Sequence, residues 1–191
     1  MFDWIKNIGK EVPEFWKVYN SKFDVKSDRF VIISCETSGS NAQKDAILSV
    51  AGIAVINDSI LINDSFEIKI NYDNEITEHA ENSHIQELNP ILALQEFVNF
   101  IGNAKLIGFR INFETELINE MLSKLHCGKL KNEVFDLEVM HKKYENIIDD
   151  NFTLNELFTI YKMQKSDRNT AANEALNMAL LFLKLKARLN I

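Results

Sequence analysis

Proline and glycine are scarce in this chain, 2 and 6 among 191 residues. Such scarcity excludes long flexible linkers, and no stretch is repeated or low in complexity. Cysteine is equally rare. Cys35 and Cys127 lack the paired spacing of a zinc or redox motif; with no signal peptide in view, they point to a reducing, cytoplasmic setting. No apolar run approaches the length of a membrane span, so no membrane is expected as a partner. Positive charge is also in deficit. A formal net charge of −7 removes any overall attraction to nucleic acid, although local contacts and metal can still hold a strand end. Apolar bulk is what the chain does have: 46% of its residues are hydrophobic, enough for one α/β domain with an ample core.

The stretch Arg29 to Ile56 organises that domain. Phe30-Val31-Ile32-Ile33 is a continuous, β-branched apolar run that reads as a strand buried on both faces. It leaves the core through Ser34-Cys35-Glu36-Thr37-Ser38-Gly39, where alternation puts Ser34 and Glu36 on one face. Residues 46–55 resume as a second strand. Asn57-Asp58 joins it to one antiparallel return strand, carrying 60–62 and 66–70. A polar, acidic stretch over 71–90 follows, in which His79 and His84 have no obvious metal partner. The apolar spacing then predicts a helix over 91–103, a buried strand over 105–109, and a helix from about Phe113 to His126. A short strand at 135–137 leads into a helix through Val139, Met140 and Tyr144, and two last helices cover about 153–162 and 171–189. Thr153 with Glu156 fits a capping box.

The Arg29–Gly39 stretch resembles the first motif of the DnaQ-like, DEDD-type 3′–5′ exonucleases, hydrophobic-hydrophobic-Asp-x-Glu-Thr-Thr-Gly. Glu36, Thr37 and Gly39 match, and Ser34 stands at the leading Asp. Gly108-Phe109-Arg110-Ile111-Asn112-Phe113-Glu114 resembles the second motif, Gly-His-Asn-x-x-Phe-Asp, with Glu114 for its Asp and Phe109 for its His. Asn169-Thr170-Ala171-Ala172-Asn173-Glu174-Ala175 resembles the third, His-x-Ala-x-x-Asp-Ala, with Glu174 for its Asp and Asn169 for its general-base His. The resemblance runs from Arg29 to Ile191. It implies a ribonuclease H-like α/β fold, a mixed sheet flanked by helices, with residues 1–28 as a helical extension to a domain over 29–191.

It also implies phosphodiester hydrolysis at single-stranded DNA or RNA ends, with two Mg²⁺ or Mn²⁺ ions held by four carboxylates and a histidine activating water. The departures all weaken that chemistry. Ser34 removes a charge and a bidentate ligand. Glu114 and Glu174 keep charge but move the ligand oxygens outward, and misplacement by about 1 Å can cost on the order of 10²-fold. An amide at Asn169 cannot accept the proton, a loss of about 10²–10⁴-fold. The expectation is therefore an impaired or inactive pseudo-exonuclease that retains nucleic-acid or nucleotide binding or a scaffolding role. The alternative is an active exonuclease with an altered metal site. Glu36, Glu114 and Glu174 are either a weak metal site or a solvated remnant.

Several residues allow two readings each. Thr37 and Ser38 correspond to residues that line the terminal-nucleotide pocket in the family, or else make a plain turn. Lys162, Lys165 and Arg168 could meet phosphate, or form a solvated loop. In residues 1–28, Phe2, Ile5, Ile8 and Val12 recur at helical spacing, and Pro13 opens a second helix with Phe15, Trp16, Tyr19 and Phe23. These aromatics read as an anchor for a protein partner or a membrane surface, or as an extension laid across the domain's own surface; the interleaved acids argue against anionic lipid and favour the extension. Tyr161 lies too far before Glu174 for the family's tyrosine-based motif.

Overall fold

The computed structural model describes residues 11–72, 85–163 and 170–190. Helix α1 (Glu14–Ser21) starts behind Pro13 and buries Phe15, Trp16 and Tyr19; a 3₁₀ turn over Lys22–Asp24 follows it. Strand β1 (Phe30–Thr37) leads to β2 (Ile47–Ile56) and β3 (Ser59–Ile70). Asn57 and Asp58 both take positive φ, 49° and 61°, as a tight hairpin with the strands' own twist requires. Then come β4 (Gln86–Leu88), α2 (Pro90–Ile101), β5 (Lys105–Gly108) and α3 (Ile111–Lys124). The chain closes with β6 (Val134–Asp136), α4 (Leu137–Glu145), α5 (Leu154–Ile160) and α6 (Ala171–Leu189).

The strands form one mixed sheet in the order β4-β3-β2-β1-β5-β6. β2 runs antiparallel to β1 and β3, and the remaining pairs are parallel. Alternation along the buried strands feeds two cores. Val31, Ile33, Val50 and Leu106 face α1, α2 and α3. Ile32, Ile53, Val55 and Ile107 face α4, α5 and α6. The result is the expected mixed α/β sheet with helices on both faces. Its central strand, β1, ends between the first turns of α3 and α6.

Two details differ from the sequence reading, at the N-terminal side and within 71–90. The helix expected through Phe2, Ile5 and Ile8 falls outside the described residues, and Val12, its last position, is exposed and not helical. The return strand is one element, as expected, with an irregularity. Its register slips where Ile53 faces Ser65 but Ala54 faces Leu61, and the bulged Asp64 takes both its carboxylate oxygens to Arg29 at 3.0 Å. Within 71–90, Gln86–Leu88 is a strand that composition hides. It lies at the sheet edge, where parallel pairing with β3 holds it and only Leu88 packs inward.

Residues 14–24 lie on the domain itself. Trp16 stacks on Tyr19 at 4.6 Å, and Tyr19 meets Phe23 edge-on at 5.0 Å. The Tyr19 hydroxyl donates to Asn132 Oδ1 and accepts from the Lys131 N–H, both at 2.7 Å. The aromatic face of α1 is thus consumed internally.

Candidate functional site

Ser34 sits on β1 with 1% of its surface exposed, and its hydroxyl donates to Glu174 Oε1 at 2.8 Å. Glu174 comes from the first turn of α6, whose start is fixed by Thr170 accepting the Asn173 N–H. A neutral hydroxyl beside an acid makes a hydrogen bond where a second carboxylate would repel it.

Glu114 is placed by the other end of the same gap. β1 pairs with β5 only as far as Ile32↔Ile107, and Lys105 N–H bonds the Arg29 carbonyl. That phase sends every second β1 N–H, from Val31 on, toward β5. The next in the row, on Cys35, lies past the end of β5. Glu114 Oε1 accepts it at 3.1 Å, so a side chain continues the ladder where the strand stops. Gly108 makes the approach possible: a Cβ there would lie 3.3 Å from Glu114 Oε2 and 3.2 Å from Ile111. The turn into α3 is pinned by Arg110 at φ 52°, ψ 40° and by the Asp136 carboxylate, which accepts the Ile111 N–H at 3.1 Å.

The electrostatics follow. Glu114 is 9% exposed, and its Oε2 has no partner among the described residues. Burial pushes its pKa up to about 8; the Cys35 N–H works against this, and the charges of Glu174 and Asp136 add to it. At neutral pH this carboxyl keeps its proton. Burial, with Glu114 and Glu174 nearby, also drives the Cys35 thiol well above its usual range, so Cys35 is an inert filler rather than a nucleophile.

Glu36 does not join the pair. It is exposed, opposite Ser49 in the β1–β2 register, and Ser49 Oγ is buried with no partner among the described residues. Among the described residues no three His, Cys, Asp or Glu side chains are arranged to hold a metal ion. This donor set does not fit two divalent ions. Only the Glu114 and Glu174 carboxyls come together, two where a pair of ions needs four, and each already accepts a bond from the fold.

The loop residues are engaged as well. Thr37 donates to the Gly39 carbonyl at 2.8 Å; Ser38 donates to Asp45 Oδ1 at 3.2 Å and accepts the Ala46 N–H at 3.0 Å. Both hydroxyls serve the 38–46 turn. Phe109 packs into the α6-side core, and Tyr161 is remote, bonding His141 Nδ1 at 3.0 Å. Asn169, Lys165, Arg168, His79 and His84 lie outside the described residues.

Two further acids were not singled out by sequence reasoning. Glu67, in the same cross-sheet row as Ser34 and Ala51, accepts the Ala172 N–H of α6 at 3.3 Å. The period-two run Phe66–Ile70 puts Glu67 opposite Phe66 and Ile68, the only signal available. Glu138 is 7% exposed and accepts from the Phe152 N–H at 2.9 Å, Lys142 at 3.1 Å and Arg110 at 3.4 Å. Burial opposes its ionisation, but these donors outweigh that and lower its pKa. Arg110 is thereby drawn off toward α4.

No protein-family profile and no curated protein sequence matches this chain. Solved structures do resemble its fold. E. coli exonuclease I in complex with a dT13 oligonucleotide superposes with a TM-score of 0.65 at 16% identity, over 86% of this chain and 42% of that one. A zinc-bound form of an E. coli exonuclease I–ssDNA complex gives 0.62 at 14% identity, over 85% and 41%. Cell-death related nuclease 4 gives 0.59 at 14% identity, over 84% and 64%. This chain therefore spans less than half the length of the exonuclease I chains it matches. The shared architecture is the ribonuclease H-like exonuclease fold.

Proposed function

We propose that this protein is a DnaQ-like pseudo-exonuclease, a domain over residues 29–191 whose catalytic cleft has been rebuilt as a hydrogen-bonded joint. One observation carries the reading: Glu114 and Glu174 are each bonded within the fold, to the Cys35 N–H and the Ser34 hydroxyl, while Glu36 stands apart at the surface. Two-metal hydrolysis needs carboxylates free to clamp both ions. The retained function is binding of a single-stranded 3′ end or nucleotide, or scaffolding. The fold neighbours support this, since exonuclease I was solved on a dT13 oligonucleotide. Residues 14–24 act as a covering extension, and two free cysteines agree with a cytoplasmic setting.

The test is a nuclease assay on 3′-end-labelled single-stranded DNA and RNA in Mg²⁺, then Mn²⁺, beside a Glu36→Ala control. No cleavage is expected. Degradation that disappears in the control would overturn the reading. Oligo(dT) anisotropy on the same protein reports retained binding.

A second reading has its own support. The partnerless Oε2 of Glu114, close to Glu174, could face a single cation that displaces its proton. It predicts a Mn²⁺-dependent rise in melting temperature that Glu114→Gln abolishes. The pseudo-exonuclease reading predicts little shift in either protein.

A further inference from the structure

A cavity of about 510 Å³ that Ser34 does not line lies at the outer edge of the sheet. Both faces of β6 line it: Phe135 packs against the α6-side core, and Val134, exposed, turns to the opposite face of the sheet. A hollow lined from both sides of an edge strand runs along that edge. The Leu106 N–H bonds the Glu133 carbonyl at 2.8 Å, and in a parallel ladder this phase turns the Val134 N–H and C=O away from β5. Among the described residues no strand lies beyond β6. The floor is apolar, with Phe30, Phe182 and Leu189 beside Phe135.

The rim is basic, in a chain whose net charge is −7. Lys105, Lys143 and Lys186 stand around it. Lys105 and Lys186 lie over the same Phe30 ring, at 5.3 and 5.6 Å, and Lys186 already takes one carboxylate, from Asp58. The single acid in the lining, Asp136, is spent on the N–H groups of Ile111, Glu138 and Val139.

We propose that the β6 edge is a docking groove for an extended, acidic–apolar segment of another protein. That segment adds a strand to Val134, drops apolar side chains onto Phe30 and Phe135, and sets carboxylates against the three lysines. A second copy of this chain is disfavoured, because edge-to-edge pairing would bring the lysines of both copies together. A nucleic acid would leave the strand's outward N–H and C=O unmatched. The inference does not depend on whether the nuclease site is active.

The test uses the full chain and a fluorescent, end-capped peptide, Asp-Phe-Asp-Ile-Asp-Phe-Asp, with a Lys-for-Asp version as control. Saturable binding of the acidic peptide alone is expected, with slowed hydrogen exchange at the Val134 amide. Lys105→Glu with Lys143→Glu should weaken it roughly tenfold, since rim charges steer and select. Val134→Pro, tolerable on an edge strand, should abolish it with the circular dichroism spectrum unchanged. Four results would overturn the proposal: no saturable binding, equal binding of both peptides, binding without Val134 protection, or displacement of the peptide by a 13-nucleotide oligo(dT). Sedimentation showing a dimer that Val134→Pro dissolves would overturn it in favour of self-association.

Discussion

Replacing Glu114 by Gln should make the protein more stable as pH rises, relative to the native chain. The buried carboxyl titrates near 8 in the folded state against an ordinary 4.5. Below 4.5 the acid is protonated whether the chain is folded or not, and it costs nothing. Above that, the unfolded chain releases the proton while the folded chain holds it, so stability falls until the pH passes the folded value. The slope is about 1.4 kcal/mol per pH unit for one proton. Between pH 5.5 and 7.5 the native protein should therefore lose about 3 kcal/mol that Glu114→Gln does not lose. For a chain of this size that is about 5–10 °C in melting temperature. The amide keeps an oxygen for the Cys35 N–H, so the ladder contact survives. Urea unfolding of both proteins across that range, with EDTA present, gives the two slopes. Parallel slopes would refute the reasoning, because they would mean that Glu114 is ionised in the fold.

Other perturbations follow from the same contacts. Ser34→Asp puts a charge against Glu174 in a buried gap and should cost on the order of 3 kcal/mol without divalent ions; Mg²⁺ should recover part of it, and an Mg²⁺-insensitive variant would show that the gap cannot admit an ion. Tyr19→Phe strands Asn132 Oδ1 and the Lys131 N–H and should cost about 1–3 kcal/mol in urea, with α1 still helical. His141 is 2% exposed and its Nε2 has no partner among the described residues. Burial lowers its pKa below 6.5, with the Arg188 charge adding to the shift and Glu145 and Glu138 opposing it. It should contribute stability that is present above 6.5 and fades as pH falls below it. An NMR titration of the ring that reads 6.5 or higher would contradict this.

Much of the architecture could be read from local pattern. The β-branched run of β1 and its continuation in β2 declared a sheet buried on both faces, and Asn57-Asp58 its hairpin. The Thr153–Glu156 capping box is formed as expected. β4 was not legible, because an edge strand with one inward residue has no period to detect. The slip in β3 depends on where Arg29 meets Asp64, a contact between distant positions. At the site, three degenerate motifs were enough to bring Ser34, Glu114 and Glu174 to one end of β1. What their spacing did not contain was the partner of each carboxyl. The Cys35 N–H is free only because of where a different strand stops, and Glu67 and Glu138 find backbone donors on elements far along the chain. Glu36 was grouped with the other acids on motif alone, and β1 carries it out to solvent.

β5 is four residues long, Lys105–Gly108. Two more residues of strand would have offered Cys35 a main-chain carbonyl and freed the glutamate to swing outward. Whether that acid serves as mortar or as a tool is therefore decided by a neighbour's length. Selection acting on the Gly108 turn could move the protein between these states without touching any of its carboxylates.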